Sequence, residues 1–324
     1  MSRSVSVCLC SHNGAAHLGE QLASLSEQTQ LPDEVVVGDD GSRDGTPELL
    51  ERWAASVAIP VLIELRADPI GHGANLESVL RRASSSILLI CDQDDHWHPD
   101  KIRRLVQVLD TKPEAAGAFS DSALIDDAGE QVKGSLWKTL GFSTAEQAAV
   151  ANGHGLAVLL RRNVVAGHAL ALRRDRLELL SPLAGAHHPD WWLAMGLLLD
   201  GGLLPVNEQL VDYRLHSGNT VGLRSRTSAA SRIESSDPSA RSIADAALLE
   251  QIVARLDQLR PGLLSAEQRS LFEAKITQSR LRGSLPKSRA ARLFPVARAL
   301  VSGGYHRSSN GWRSALIDLA APPR

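Results

Sequence analysis

Up to about residue 215, short β-branched runs alternate with segments whose apolar positions recur at helical spacing. Ser4–Leu9 reads as a strand, and Leu18, Leu22 and Leu25 fall at i, i+4 and i+7 of the helix after it. Glu34–Gly38 predicts a second strand. Thr46 then stands as a helix N-cap with Pro47 at the first helical position, ahead of an inward face of Leu49, Leu50, Trp53 and Val57. Val61–Leu65 predicts a third strand, and Leu76, Val79, Leu80 and Ala83 line the next helix. Ile87–Cys91 predicts a fourth, after which Pro99 opens a helix carrying Ile102, Leu105, Val106 and Leu109. Repeated units of this length imply an α/β fold, a mostly parallel sheet flanked by helices on both faces.

Beyond Ala116 the rhythm changes. Ala116–Phe119 predicts a short strand before a turn at Asp126–Gly129, another strand lies near Gly167–Leu172, a helix starts at Pro189, and Leu210–Leu215 alternates as a last strand. These are expected to add antiparallel to one sheet edge. From Ser217 to Ser242 the chain turns to Ser, Thr, Arg and Gly, the composition of a loop or linker. Ile243–Leu259 restores helical periodicity through Leu249, Ile252, Val253 and Leu256. The expected organisation is an α/β domain over 1–222, a Ser/Arg-rich linker over 223–241 and a helical, basic C-terminal extension over 242–324. Arg280–Arg313 holds eight basic residues and no acidic one. Within it, Pro295–Gly303 reads as a helix with Val296, Ala297, Leu300 and Val301 on one side and Arg292 and Arg298 nearby. That pattern suits either an anionic membrane surface or packing back onto the first domain.

Length and composition bound these readings. The 324 residues are 43% hydrophobic and 22% charged, the balance of a soluble globule. Lys+Arg 35 against Asp+Glu 37 leaves a net charge of −2, and aromatics are 4%, so neither a global field nor a stacking platform points to nucleic acid. The apolar run Leu193–Leu199 stops at Asp200, short of the ~20 residues that span a bilayer. Val5–Cys10 is too brief for a secretory signal. Cys8, Cys10 and Cys91 sit in strand-like segments and cannot pair off completely, which reads as a reduced, cytoplasmic protein.

Polar clusters then fall at the carboxyl ends of predicted strands, where open α/β sheets bind ligands. They are Ser11-His12-Asn13-Gly14, Asp39-Asp40-Gly41-Ser42 and Asp92-Gln93-Asp94-Asp95. Three carboxylates in four residues repel one another. Either a hard divalent cation, Mg²⁺ or Mn²⁺, compensates them and shares their oxygens with substrate phosphates, or they form a solvated turn capping the next helix. The Gly-x-Gly-x-x-Gly of dinucleotide folds is missing. Gly14 and Gly19 have P-loop spacing, but Glu20 stands where the phosphate-binding lysine belongs. Asp92-x-Asp94 fits a haloacid-dehalogenase-like phosphatase with Asp92 as nucleophile, yet His96 takes the Thr/Val position and the strand is the fourth rather than the first. A non-enzymatic sugar-nucleotide-binding protein is the other rival. Zinc is disfavoured, because His96/His98 and His187/His188 lack helical ligand spacing and no Cys-x-x-Cys accompanies them.

The segments VSVCLCSHNG, EVVVGDDGSRDGT and LLICDQDDHWHPDKI resemble family 2 glycosyltransferases of the GT-A (Rossmann-like) fold. FSDSALIDDAG, GHALALRRD, HHPDWWLAM and YRLHSGN extend the resemblance to about residue 222, the last two being most similar to the bacterial rhamnosyltransferase-like branch. Two departures stand out: Pro189 separates His188 from the Asp-Trp-Trp, and Gly167-His168-Ala169 replaces a Gly-Cys-Thr-like element. The resemblance implies a metal-dependent inverting transfer of a sugar, rhamnose being one candidate, from a nucleotide-diphosphate donor to a glycan or lipid-linked acceptor. It implies a nucleotide site of Ser11, Asn13, Asp39, Asp40 and Asp94, and a DXD-type metal site of Asp95, Asp94 and His216, with Asp92 orienting the motif. His216 also reads as an exposed loop histidine. Asp190 is the implied base that takes the acceptor's proton, where Pro189 sets it in a first helical turn whose dipole favours the ionised form. Trp191, Trp192, Asp121 and Arg214 are implied for the acceptor or sugar pocket, Arg214 within reach of the diphosphate. From residue types alone, Asp190 is equally a helix-start carboxylate and the tryptophans equally core. The expected station is cytoplasmic, with peripheral contact at the inner membrane face through the basic segment.

Overall fold

A computed structural model describes residues 3–183, 188–216, 238–309 and 311–320. The expected linker up to residue 237, His187 and the Ser217–Asn219 end of the last motif lie outside the described residues. In chain order the elements are β1 (Val5–Ser11), α1 (Leu18–Ser26), β2 (Glu34–Asp39), α2 (Thr46–Ser56), β3 (Val61–Leu65), α3 (His72–Arg82) and β4 (Ile87–Cys91). There follow β5 (His96–Trp97), α4 (Lys101–Thr111), β6 (Gly117–Asp126), β7 (Gln131–Ser135), α5 (Leu136–Leu140), α6 (Thr144–Ala151) and α7 (Leu156–Arg161). A 3₁₀ turn at Gly167–Ala169 leads into β8 (Leu170–Arg173), then α8 (Leu177–Leu180), α9 (Pro189–Leu199) and β9 (Leu203–Leu215). The remainder is helical: α10 (Pro238–Leu259), α11 (Ala266–Gly283), α12 (Arg289–Val301), α13 (Gly304–Ser308) and α14 (Trp312–Ala320). The chain forms two compact units, one of Met1–Gly153 with Val164–Ser225 and one of His154–Asn163 with Arg226–Arg324.

The first unit is built on a mixed sheet of order β3-β2-β1-β4-β8-β6-β9-β5, with β7 paired to β6. β3, β2, β1 and β4 are parallel. Every residue of β1 and β4 is buried, as a strand covered on both faces must be. Leu18, Leu22 and Leu25 of α1 and Ile102, Leu105 and Leu109 of α4 close over them, and each such side chain contributes roughly 2 kcal/mol of burial. Two helix starts differ from the sequence reading. Asp44 rather than Thr46 supplies the capping oxygen of α2, accepting from the Thr46 N–H at 3.0 Å and from its hydroxyl at 2.6 Å. α4 starts at Lys101, after Pro99 and Asp100.

The expected antiparallel additions are only partly so arranged. β8 lies antiparallel between β4 and β6, but β9 is parallel to β6. The β6–β9 register shifts on either side of Asp121 and Ser122, and such irregularities re-aim side chains. Ser122 thereby reaches His168, and Asp121 holds the first turn of α5 by accepting the Trp137 N–H at 2.9 Å.

In the second unit α12 and α14 share a core of Val296, Ala299, Tyr305 and Ala315. Arg282 and the Tyr305 hydroxyl converge on Asp318, each at 2.7 Å. The four residues read as one side of a helix divide here between two faces: Val296 is buried, while Ala297 and Val301 are exposed. Arg292 is buried as well, donating to the carbonyls of Pro286 and Asp318.

Candidate functional site

The ends of β1, β2 and β4 face one rim of the first unit, and hydrogen bonds tie their loops together. Asp39 is buried and accepts from Ser11 Oγ at 2.8 Å, the Ser42 N–H at 2.9 Å and Ser42 Oγ at 2.6 Å. Asp40 takes the Ile70 N–H on one oxygen (2.7 Å) and the Gly71 N–H on the other (2.9 Å), fixing the entry to α3. Asn13 sits at φ 48°, a left-handed conformation that asparagine tolerates. Its N–H donates to Ser42 Oγ and its amide oxygen accepts the Arg43 N–H. Gln93 straps the first loop to the acidic one, accepting the His12 N–H and donating to the His12 carbonyl. The strap lies close over Gly14, where a Cβ would come 2.1 Å from Gln93 Oε1 and push the end of that side chain aside.

The acidic loop divides its carboxylates between two partners. Asp92, Asp95 and His168 bring ligand atoms within 4.8 Å of one another, with His168 Nδ1 3.4 Å from Asp95 Oδ2 and 3.9 Å from Asp92 Oδ2. Asp94 turns instead to His216, whose Nε2 lies 2.9 Å from Asp94 Oδ2. Of the metal set implied by the resemblance, Asp95 therefore stands in the cluster, while Asp92 and His168 occupy it in place of Asp94 and His216. The cause is the chain's exit from β4, which doubles back at once into β5 and sends successive side chains to different neighbours.

Asp95 is fully buried (0% exposed). Its Oδ1 accepts the Arg214 N–H at 3.2 Å, and its Oδ2 has no hydrogen-bond partner among the described residues. A buried, unsatisfied carboxylate oxygen is costly. Burial, with Asp94 and Asp92 adding to it, pushes the Asp95 carboxyl well above the usual range. Asp92 is pushed up to about 7, first by burial and then by Asp94 and Asp190, while His72 and Lys101 pull the other way. His168 is driven down to about 3 by burial and the neighbouring Lys101, so its ring is neutral. Ser122 Oγ, 2.9 Å from Nε2, can fix the tautomer that leaves Nδ1 a lone pair. Two carboxylates, one of them with an orphaned oxygen, and a neutral imidazole make a donor set that fits a divalent cation.

Asp190 opens α9, half-buried, with the Gly167 N–H bonded to its carboxylate. Burial raises its pKa, outweighing the opposing pull of His72, the Gly167 N–H and His188. The helix start does not set the balance, contrary to the expectation from the dipole. Asp190 in turn raises Asp92, so the two belong to one electrostatic site. Trp191 and Trp192 are buried, and Trp192 Nε1 donates to the Leu180 carbonyl at 2.7 Å. The buried Arg214 guanidinium donates to the Asp94 and Asp127 carbonyls and to Glu20, which staples the acidic loop to the turn after β6.

Two residues of the site escaped the sequence reading. His168 had been noted only as a departure from a motif. Lys101 is buried beneath the acidic loop, with Nζ 3.3 Å from the Trp97 ring centroid and donating to the His168 carbonyl at 2.5 Å. Burial lowers its ammonium to about 7, while Cys91, Asp95 and Asp92 oppose the shift. Nothing in the local pattern distinguishes Lys101 from an exposed lysine in a first helical turn.

Residues 6–163 match the family model described as Glycosyl transferase family 2. An uncharacterized protein of Mycobacterium tuberculosis is 28% identical over 215 residues, which cover 66% of this chain and 59% of that protein. The chain thus spans less than two thirds of that relative. An uncharacterized glycosyltransferase of Nostoc sp. is 24% identical over 223 residues, 66% of each chain. Among solved structures, Staphylococcus aureus TarS 1–349 in complex with UDP has a TM-score of 0.55 at 15% identity, covering 96% of this chain and 90% of that one. The mannosyltransferase PcManGT from Pyrobaculum calidifontis, in complex with GDP-Man and Mn²⁺, has a TM-score of 0.57 at 19% identity over 99% and 86%. At these identities the likeness establishes a shared GT-A fold.

Proposed function

We propose that this chain, which carries a family 2 glycosyltransferase domain over residues 6–163, transfers a sugar with inversion from a nucleotide-diphosphate donor to a hydroxyl of a glycan or lipid-linked acceptor. The observation that carries the reading is the group of half-buried Asp92 with buried Asp95 and His168, in which one Asp95 oxygen is unsatisfied among the described residues. Asp92, Asp95 and His168 would hold Mn²⁺ or Mg²⁺, with Asp94 and His216 beside them. Such a cation supplies Lewis-acid stabilisation of charge on a departing diphosphate.

The chain's own residues do the rest. A carboxylate offers about four acceptor positions, and the bonds described leave Asp40 more spare capacity than Asp39. Asp40 is therefore our choice for reading a base or ribose. Ser11, Asn13 and Gln93 shape the cleft around it. Asp190 accepts the acceptor proton as its oxygen attacks, and a carboxyl raised by burial is better matched to that task than an exposed one. The transition state is oxocarbenium-like, as in glycoside hydrolysis. Trp191, Trp192, Asp121 and Arg214 contribute by holding the walls of the acceptor side. PcManGT is in complex with GDP-Man and TarS with UDP, so the nucleotide is open, and dTDP-rhamnose is the first sugar to try on the motif resemblance. A phosphatase with Asp92 as nucleophile is disfavoured by the match of residues 6–163 to the glycosyl transferase family model.

The test is a thermal-shift panel of UDP-, dTDP- and GDP-sugars with and without Mn²⁺, followed by a transfer assay on Asp190→Asn. Metal-dependent stabilisation by one nucleotide class is expected. The variant should lose at least ~10²-fold in kcat, within the usual span of a general base, with donor affinity unchanged. Full activity in Asp190→Asn would remove it from the mechanism.

A further inference from the structure

The second unit exposes a cluster of large apolar side chains on two of its helices. On α12, Ala290, Leu293, Phe294, Ala297 and Val301 share an arc of about 100°, all of them exposed, Phe294 at 76% and Val301 at 89%. Arg289 and Arg298 flank that arc on its two margins, both exposed. The neighbouring α14 repeats the pattern with Trp312 (56% exposed), Leu316 and Ile317, and Arg313 lies among them. Both helices turn their other faces to a common core through Val296, Ala299 and Ala315, so the outward residues are surplus to that packing. The single carboxylate on either helix, Asp318, is buried and paired with Arg282.

We propose that this face docks the protein on an anionic lipid bilayer, with the apolar residues entering the headgroup boundary and the arginines meeting lipid phosphates. Exposed aromatic and aliphatic side chains bordered by arginines, with no outward acid, are complementary to that surface and to little else in water. A second copy of the chain is a poorer occupant, because a twofold contact would bring two identical patches together, each carrying Arg289, Arg298 and Arg313 and no outward acid on these helices. No described helix is long and apolar enough to cross a membrane, so the contact is one of lying on the surface. A bilayer-bound enzyme meets a lipid-linked acceptor directly, which joins this face to the transfer proposed above. Vesicle binding is measured without donor, so its failure would leave that transfer standing.

The experiment is flotation of the full chain with vesicles of phosphatidylcholine alone and of phosphatidylcholine with about one third phosphatidylglycerol, in low and high salt. The parent is expected to float with the anionic vesicles, less so in high salt, and to stay behind with the neutral ones. Phe294→Glu/Val301→Glu should reduce the bound fraction at least tenfold, and Arg298→Glu/Arg313→Glu, which leaves the apolar residues in place, should weaken binding too. All four positions are exposed, so melting temperatures should match the parent. Failure of the parent to bind anionic vesicles, or equal binding by both variants, would overturn the proposal. So would a parent dimer by light scattering that Phe294→Glu/Val301→Glu makes monomeric, since a second copy would then cover the face.

Discussion

Replacing Gly167 by alanine tests the candidate base without touching its chemistry. Gly167 does not occupy the left-handed region, so alanine is allowed by the backbone, and the obstacle is steric. Its Cβ would lie 2.7 Å from Asp190 Oδ1 and 3.1 Å from Cγ. Ordinary contact begins near 3.4 Å, so the carboxylate must retreat by roughly 0.7 Å, and its bond from the Gly167 N–H loosens with it. A displacement of about 1 Å at a reacting group can cost ~10²-fold, so kcat should fall between about 10- and 100-fold. Overpacking costs ~1–3 kcal/mol, partly offset by the ~0.4–1 kcal/mol that Gly→Ala gains through the unfolded chain. The variant should therefore still fold. Steady-state kinetics with calorimetry of donor binding separates the outcomes: kcat falls and the donor Kd holds. In the Asp190→Asn background the same substitution should cost little more, because both act through one group. A Gly167→Ala enzyme with parental kcat and parental melting temperature would refute the assignment of Asp190 as a base held in a fixed position.

Asp95→Asn should melt no lower than the parent in the absence of metal, since it puts a neutral isostere in place of a desolvated carboxyl whose charged form is disfavoured, and should lose the rise in melting temperature expected of the parent with Mn²⁺. An equal Mn²⁺ response in both would take Asp95 out of the ligand set. Gly14→Ala, which displaces only the end of the flexible Gln93 side chain, and Gln93→Ala should each raise the donor KM several-fold with stability nearly unchanged. Their double variant should be no worse than either, and additive effects would show that the strap is not their common cause. Lys275 is buried, donates to the Ser308 carbonyl at 2.9 Å, and is lowered by burial from 10.5 to about 8. Between those values the unfolded chain binds more protons, so this residue's contribution makes stability rise with pH from about 8 to about 10.5. Below 8 both states are protonated and the penalty is constant. Urea melts of Lys275→Met should lack that rise, and a parallel pH dependence would exclude the lysine as its source.

The strands that set the rim were legible because their signal is local. Val5–Cys10, broken only by Ser6, and the continuous runs Val35–Val37 and Ile87–Cys91 are apolar segments followed by polar clusters, and β4 spans the predicted residues to the last one. β9 was foreseen only over Leu210–Leu215, although it begins at Leu203. Its pairing with β6 is parallel, remote in sequence and twice shifted in register, and no local pattern encodes such a partner. The same long-range pairing explains the two misses in the site. His168 reaches the acidic loop because β8 is inserted between β4 and β6, and the buried Lys101 lies over the Trp97 ring and donates to the His168 carbonyl in the turn before that strand. Asp190 was visible from Pro189 and the tryptophans, but the sign of its environment was not. Dipole arguments use the first turn alone, whereas burial depends on everything packed around it.

That reversal bears on how the site works. Asp92, Asp94, Asp95 and Asp190 gather four acidic groups around one buried ammonium, Lys101, and a neutral imidazole, His168. Desolvation raises Asp92, Asp95 and Asp190, and neighbouring carboxylates add to it at Asp92 and Asp95, so the protein alone opposes the ionised form of all three. A divalent cation held by Asp92 and Asp95 would favour their ionised forms, and its positive charge beside the group would favour the ionised form of Asp190 as well. Donor binding and the readiness of the base would then be linked through the shared field. The pH at which Asp190 becomes a competent proton acceptor should accordingly be lower with metal than without it. The acid limb of Asp190 ionisation, followed by carboxyl-labelled NMR with and without Mg²⁺, should move to lower pH on metal addition. An unmoved limb would mean that the two carboxylate groups act independently.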